Sequence, residues 1–291
     1  MITANRPIPP PEVARHYDAL DDFYREVWGD HVHHGLWLKG NETRDQALRQ
    51  HVEMIAQEAG IGSGTRVCDI GCGYGATARM IAQTFGADVT AVTVSPAQHA
   101  FAERRQAVVD ASMDRSEHSG RCHYVLADWL HNTLPDQSFD SAIAVESSEH
   151  MPDLAGFFAQ AFRVLKPGGR LAVTAWLSCE RPTPAQRRFL LEPVCRGGHM
   201  PHMGTFSEYQ RLAVAAGFEF LRVQDVTRRI ERTWPTQAAA FLRRLLAEPR
   251  YARFLFGRHA RNRAFSLTML RIWFSYRTGA MRYGVFTLRK P

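Results

Sequence analysis

From residue 65 onward, short apolar runs alternate with stretches of helical spacing, and this alternation limits the fold more than any other feature of the chain. The run TRVCDI over 65–70 is β-branched and ends in an acid and a glycine turn. ATARMIAQTFG over 76–86 has helical spacing and a glycine stop, and DVTAVTV over 88–94 reads as a strand again. Strand, helix and strand in that order make a βαβ unit, which joins parallel neighbours. The pattern goes on through a helix over 95–112, strands over 121–128 and 139–147, a helix and turn over 154–169, a strand over 170–177, a helix over 207–218 and strands over 219–227 and 283–290. Seven strands alternating with helices imply an α/β, Rossmann-like, seven-stranded and mostly parallel sheet covered on both faces. The last strand follows a long helical insert and is expected to join antiparallel.

At 291 residues and 45% hydrophobic, the chain can build one large core without staples. Residues 1–16, with the run PIPPPE, read as a flexible lead-in, and residues 17–291 as one domain. Within it, 17–60 supply N-terminal lid helices and 61–177 the ligand-binding core. Residues 178–206 and 228–280 interrupt the alternation as helical cap insertions. Ligands of open α/β sheets bind beyond the C-terminal strand ends, so segments fed from that edge would roof the site. The sequence shows no run near the roughly 20 apolar residues of a membrane span and no signal-peptide core in its first 16, and the expected location is cytoplasmic. Five cysteines without a C-x-x-C pair suggest neither a disulfide frame nor a zinc site.

The formal charge of +7 conceals a division. Residues 1–169 carry 14 Lys and Arg against 22 Asp and Glu, whereas residues 170–291 carry 22 against 7, so the parts stand at −8 and +15. Only Lys39, Lys166 and Lys290 are lysine. Arginine suits carboxylate or phosphate recognition, although a GC-rich genome writes the same bias.

The sharpest motif is Asp69-Ile70-Gly71-Cys72-Gly73-Tyr74-Gly75, at the end of the first strand. Alternate glycines let the backbone turn tightly and approach a ligand closely. A nicotinamide site would want G-x-G-x-x-G and an acid closing the second strand, whereas here the third glycine comes one residue early and that strand ends Thr93-Val94-Ser95. The turn, together with Ala127-Asp128-Trp129, Phe139-Asp140 and Leu165-Lys166-Pro167-Gly168-Gly169, resembles class I S-adenosylmethionine (SAM)-dependent methyltransferases. Within that superfamily, the segments 28–35 (WGDHVHHG), 93–98 (TVSPAQ), 146–152 (ESSEHMP) and 287–291 (TLRKP) are similar to γ-tocopherol methyltransferases and related natural-product methyltransferases. The likeness extends more distantly to sarcosine/dimethylglycine N-methyltransferases and cyclopropane fatty-acid synthases.

The resemblance implies SAM as cofactor. Gly71, Cys72, Gly73 and Gly75 would lie under its methionine part, with carbonyls near Gly71 and Val145 accepting from the ammonium and Asp69 adding negative charge. Thr93 and Gln98 would meet the ribose, Asp128 the adenine amino group and the Trp129 backbone a ring nitrogen, while Tyr17 would close over the carboxylate. Taken singly, Asp69 could cap a helix, Gln98 could be a solvated helix residue and Asp128 a turn acid.

Methyl transfer from a sulfonium needs alignment and exclusion of water more than a metal. An acceptor that carries a proton also needs a base, and Glu149 and His150, after the fourth strand, are the candidates, unless Glu149 only holds a neighbouring loop and His150 lies behind the site. Glu146 is expected to flank the cofactor. Trp28, His31, His33, His34, Glu146 and Trp176 are expected to line the acceptor pocket, and His199 and the aromatics near Trp234 could add walls. The H-x-H-H run at 31–34 lacks a third-ligand spacing, so no metal is expected. The reading is therefore a SAM-dependent methyltransferase acting on a hydrophobic, aromatic or terpenoid small molecule at O, C or N. The alternatives are a prenyl diphosphate C-methyltransferase, a cyclopropane-type lipid enzyme or a SAM-binding accessory protein. Nucleic acid is not an expected partner, since no Asn-Pro-Pro-aromatic base pocket follows the fourth strand. Stable membrane insertion is not expected either, but the basic part is compatible with transient contact with an anionic membrane.

Overall fold

A computed structural model describes residues 1–4, 8, 12, 15, 29–112, 120–248 and 260–291, side chains 112 and 260–267 excepted. The strands are β1 (Ile2–Thr3), β2 (Arg66–Ile70), β3 (Asp88–Thr93), β4 (Cys122–Leu126), β5 (Phe139–Val145), β6 (Leu165–Ser178), β7 (His202–Met203), β8 (Glu219–Asp225) and β9 (Met281–Arg289). Seven form one sheet in the order β4-β3-β2-β5-β6-β9-β8. The pairs from β4 to β6 are parallel, and β9 runs antiparallel to both neighbours. All seven strands expected from the alternation are present, with the final one antiparallel.

Period-two burial explains the layers. Val67, Ala91, Ile143 and Ala172 face one side, where they meet Val52 and Ile55 of α1 (Arg44–Ala59), Ile81 of α2 (Ala76–Phe85) and Ala102 of α3 (Pro96–Ser112). Cys68, Val92, Ala144 and Val173 face the other, against Phe157 and Phe158 of α4 (Leu154–Val164) and Tyr209 of α5 (Phe206–Ala215). A capping box at Thr43 and Gln46 starts α1, and Gly60 at φ 68° ends it.

A third core holds the cap together. Leu191, Val194 and Met200 from the first insertion pack with Trp234 of α6 (Thr233–Ala247), Ile272 and Tyr276 of α7 (Ala260–Arg277), and Tyr283 of β9. The described part of the expected flexible lead-in is also fixed here. Ile2–Thr3 pairs antiparallel with His202–Met203, and Ile2, Ala4 and Ile8 are buried in this core. The correction has a simple cause: these apolar side chains find a hydrophobic face between the insertion helices. Of the expected lid helices, α1 is observed, while Tyr17 and Trp28 lie outside the described residues.

The glycine turn is built from positive φ angles at Gly71 (80°), Gly73 (55°) and Gly75 (72°). The amides of Gly71 and Cys72 both donate to the Val92 carbonyl. A Cβ on Gly75 would lie 2.5 Å from the Tyr124 ring, whereas one on Gly73 would meet nothing closer than Gln98 Nε2 at 4.0 Å. Gly75 is thus required by packing within the protein, and Gly73 by backbone conformation and by whatever lies above it. Gly73→Ala should cost about 1–2 kcal/mol in urea unfolding, and Gly75→Ala about 3 kcal/mol once overpacking is added.

Candidate functional site

A cavity of about 1040 Å³ opens beyond the C-terminal ends of β2 to β5. Its walls include Asp69, Gly71, Cys72, Gly73, Thr93, Gln98, Asp128, Trp129 and Val145. Nine residues expected around the cofactor are therefore brought together, and Gly75 sits behind them as the N-cap of α2. Thr93 Oγ1 donates to Gln98 Oε1 at 2.9 Å, so the Gln98 amide nitrogen is the atom turned toward Gly73. Asp128 is a turn acid that also lines the cavity. It caps the turn at Trp129–His131 by accepting from the Leu130 amide, and it binds His131 Nδ1. The Trp129 indole donates to the Phe157 carbonyl inside the core, and its backbone carbonyl accepts from the Asn132 side-chain amide.

Asp69 is 2% exposed, and its Oδ2 has no hydrogen-bond partner among the described residues. Burial pushes its carboxyl up to about 7. A buried acid with one unpartnered oxygen at the wall of a cavity suits a cationic ligand.

A second cavity, of about 690 Å³, adjoins the first through Val32, His33, Glu146 and His150, which line both. Trp176, Trp234, Met200, Met269 and Ile272 make it mostly apolar. His33, His34, Glu146 and Trp176 stand in its wall as expected, whereas His31 lines the first cavity and not this one. His199 does not line either one, although its carbonyl lies 3.5 Å from His150 Nδ1.

Between the cavities lies Glu146, a non-glycine residue at φ 51° that joins no regular element. Its carboxylate accepts from the His34 amide (2.7 Å), Tyr283 hydroxyl (2.6 Å), Trp176 indole (2.7 Å) and His34 Nδ1 (3.0 Å). Trp234 Nε1 donates to His34 Nε2 at 2.8 Å. An indole can only donate, so His34 Nε2 carries the lone pair and the ring proton sits on Nδ1, facing Glu146. Burial would push Glu146 up, but His34, with His33 and His51 behind it, outweighs burial and holds the carboxyl well below its usual range.

Glu149 is placed elsewhere. It is 1% exposed, accepts from the Trp176 amide and Ser148 hydroxyl, and lines neither cavity. Burial, reinforced by Glu146, pushes it up to about 8, so it is mainly protonated at neutral pH. The structure thus does not bring Glu149, expected as a candidate base, to either cavity; its carboxyl supports β6. His150 does face both cavities, and burial lowers it to about 4, leaving a neutral imidazole.

Sequence reasoning missed His51 and Tyr283. His51 lies on the buried face of α1 beside Leu48, Val52 and Ile55, and a histidine on an apolar helical stripe was the available signal. Its Nδ1 lies 2.6 Å from the His34 carbonyl. Tyr283 gave no such signal, since an aromatic in a buried strand is ordinary.

The pattern of the mycolic acid cyclopropane synthetase family matches residues 9–248. The chain belongs to this family. It is 33% identical to a 27-O-demethylrifamycin SV methyltransferase of Amycolatopsis mediterranei, covering 80% of this chain and 82% of that protein. It is 27% identical to the chloroplastic tocopherol O-methyltransferase of Arabidopsis thaliana, over 96% of this chain and 82% of the relative. The cyclopropane synthase structure from Mycobacterium tuberculosis superposes with a TM-score of 0.80 at 24% identity, covering 97% of this chain and 98% of that one. The family member described here is a class I SAM-dependent methyltransferase, and its cofactor is SAM. The first cavity fits that cofactor: the Asp69 carboxyl, with one oxygen lacking a partner among the described residues, suits its positive charge, and the open space above Gly73 admits close contact.

Two outcomes follow. Asp69→Asn should weaken SAM binding at least about tenfold in calorimetry; in the parent, affinity should fall as pH drops below about 7, because Asp69 then gains a proton and loses its charge. The buried imidazoles set the acid limit of stability. Burial depresses His31 and His51 to about 3 and His150 to about 4, while unfolded histidine titrates near 6.5. Their stability contribution is complete above pH 6.5 and is lost as pH falls toward 3–4, since only the unfolded chain takes up protons across that window. Thermal melts should show Tm dropping steeply over that range.

Proposed function

We propose that this enzyme methylates a lipophilic small molecule without a phosphate group, bound in the second cavity, with His150 taking the acceptor's proton. The observation that carries the reading is the make-up of the joined cavities. Among the described residues no Lys or Arg lines them, and the charged side chains described there are Asp30, Asp69, Asp128 and Glu146. A diphosphate would enter a field of its own sign without a basic partner among the described residues, which disfavours the prenyl diphosphate reading. Trp176, Trp234, Met269 and Ile272 instead offer apolar area, with Thr233 and Thr268 as polar groups for orientation.

SAM supplies an electrophilic methyl group on a sulfonium. The chain must place the acceptor in line with it, exclude water and receive a proton. Residues 30–34 cover the first cavity and line the passage to the second, fixed by the bonds of His34 to Glu146 and Trp234. Alignment of this kind supplies much of the acceleration of a displacement reaction. At a phenol or alcohol, bound SAM would supply its methyl group to the acceptor oxygen as a neutral thioether is left behind, and the hydroxyl proton would pass to His150. Glu146 stays ionised, with both oxygens occupied by donors, and serves as a positioning residue for the passage. Lipid cyclopropanation is the second reading, supported by the family match and the apolar cavity.

His150→Gln should lower kcat about 10²-fold with SAM affinity little changed, and Glu149→Gln should retain most turnover. Near-parental kcat in His150→Gln would reject the base assignment. Labelled SAM with separate panels of phenols, prenylated quinols, amines, prenyl diphosphates and phospholipids should give product with the uncharged lipophilic acceptors. Label confined to phospholipid would favour the cyclopropane-type reading.

Glu146→Gln replaces an acceptor oxygen by a donating amide opposite the donors of His34, Trp176 and Tyr283. It should cost about 3 kcal/mol or more in denaturant unfolding, and it should raise KM for the acceptor in whatever fraction remains folded.

A further inference from the structure

The structure carries a second apolar surface, on the outside of the acceptor cavity. Helices α6 and α7 pack on each other, and their inner faces supply Trp234, Met269 and Ile272 to that cavity. Their outer faces are also apolar. Leu242 and Leu246 are one helical turn apart on α6 and 54% and 81% exposed. Leu270, Trp273 and Phe274, at i, i+3 and i+4 on α7, are 61%, 40% and 51% exposed. Single exposed apolar residues are ordinary, but five large ones on two adjoining helices form a patch that marks an interaction surface.

Charge decides what the patch fits. Among the described side chains of residues 228–277, seven arginines stand against two glutamates, and neither α6 nor α7 contains an acid. The two glutamates are themselves paired, Glu231 with Arg277 and Glu248 with Arg244. Arg243 is exposed beside Leu242, and Arg271 is half-buried beside Leu270. Leucine and aromatic side chains flanked by arginine suit the boundary between headgroups and acyl chains of an anionic bilayer. A second copy of this chain would set the same positive charge against itself. No described helix is long and apolar enough to cross a membrane, so the contact is peripheral.

We propose that the outer faces of α6 and α7 dock on the surface of an anionic phospholipid bilayer, so that a lipophilic acceptor dissolved there passes into the cavity lined by the same two helices. This rests on the reading of that cavity as the acceptor site, but the docking is measured independently. The full-length enzyme is sedimented with vesicles of phosphatidylcholine alone and with vesicles containing about 30% phosphatidylglycerol, near physiological salt and at high salt. SAM binding is measured on the same preparations. The expected result is binding at least about fivefold stronger to the anionic vesicles, weakened by high salt. It should be lost in Trp273→Ser/Phe274→Ser and reduced in Leu242→Ser/Leu246→Ser, with SAM binding unchanged in both. These four residues line neither cavity.

Equal binding to both vesicle types, no vesicle binding, or full binding by Trp273→Ser/Phe274→Ser overturns the proposal. So does a dimer in lipid-free sedimentation velocity that the Trp273/Phe274 variant abolishes, because the face would then be covered by a second copy. Vesicle binding that behaves as expected in an enzyme inactive on every lipophilic acceptor would leave the docking intact and reject the acceptor reading alone.

Discussion

A buried, fully hydrogen-bonded carboxylate organises this enzyme. Glu146 receives hydrogen bonds from His34 near the start of the chain, Trp176 in β6 and Tyr283 in β9. Each charge-assisted bond is worth about 1.5–3 kcal/mol, and together they offset the cost of burying an anion. The result is geometric. Residues 30–34, two sheet strands and the α6 helix that carries Trp234 are joined at the one point where the two cavities meet. The left-handed backbone of Glu146 is held in place by this set of bonds and by its own amide, which donates to the Thr174 carbonyl.

That arrangement separates three acids that look alike in the sequence. Asp69 is buried with one oxygen lacking a partner among the described residues, and it is left for a cation. Glu146 is fully bonded and stays ionised. Glu149 lies in an apolar interior beside Glu146 and keeps its proton at neutral pH. Residue type and spacing are silent about these differences, because a carboxyl's behaviour follows from its neighbours and its access to water. The same holds for the histidines, where His34 is locked by Trp234 and Glu146 while His150 remains turned toward the reaction space.

The two halves of the charge distribution also acquire separate meanings. The acidic part encloses the cofactor cavity, whose ligand is cationic. No described arginine of the basic part lines the second cavity; the described surface there is mainly aromatic and aliphatic, and Arg243 and Arg271 adjoin the exposed apolar residues in sequence. An arginine-rich segment therefore surrounds an apolar cavity, which the sequence count alone would assign to an anionic substrate.

The sheet was legible in the sequence, down to its antiparallel last strand, because strand and helix periodicity are local and survive in a linear reading. The glycine turn, Thr93, Gln98, Asp128 and Trp129 were legible for the same reason, since each follows a strand end and strand ends share one edge of a parallel sheet. What only the tertiary structure decided was the contact between remote segments. Ile2 and Thr3 pair with His202 and Met203, His34 meets Glu146 and Trp234, and Tyr283 reaches across from the final strand. Such contacts depend on how the insertions pack on the sheet, and packing joins side chains that lie 100–200 residues apart and leave no periodic mark. The sequence thus determined the cofactor module, and the tertiary structure decided which acid is an anchor, which is a scaffold and which histidine lines both cavities.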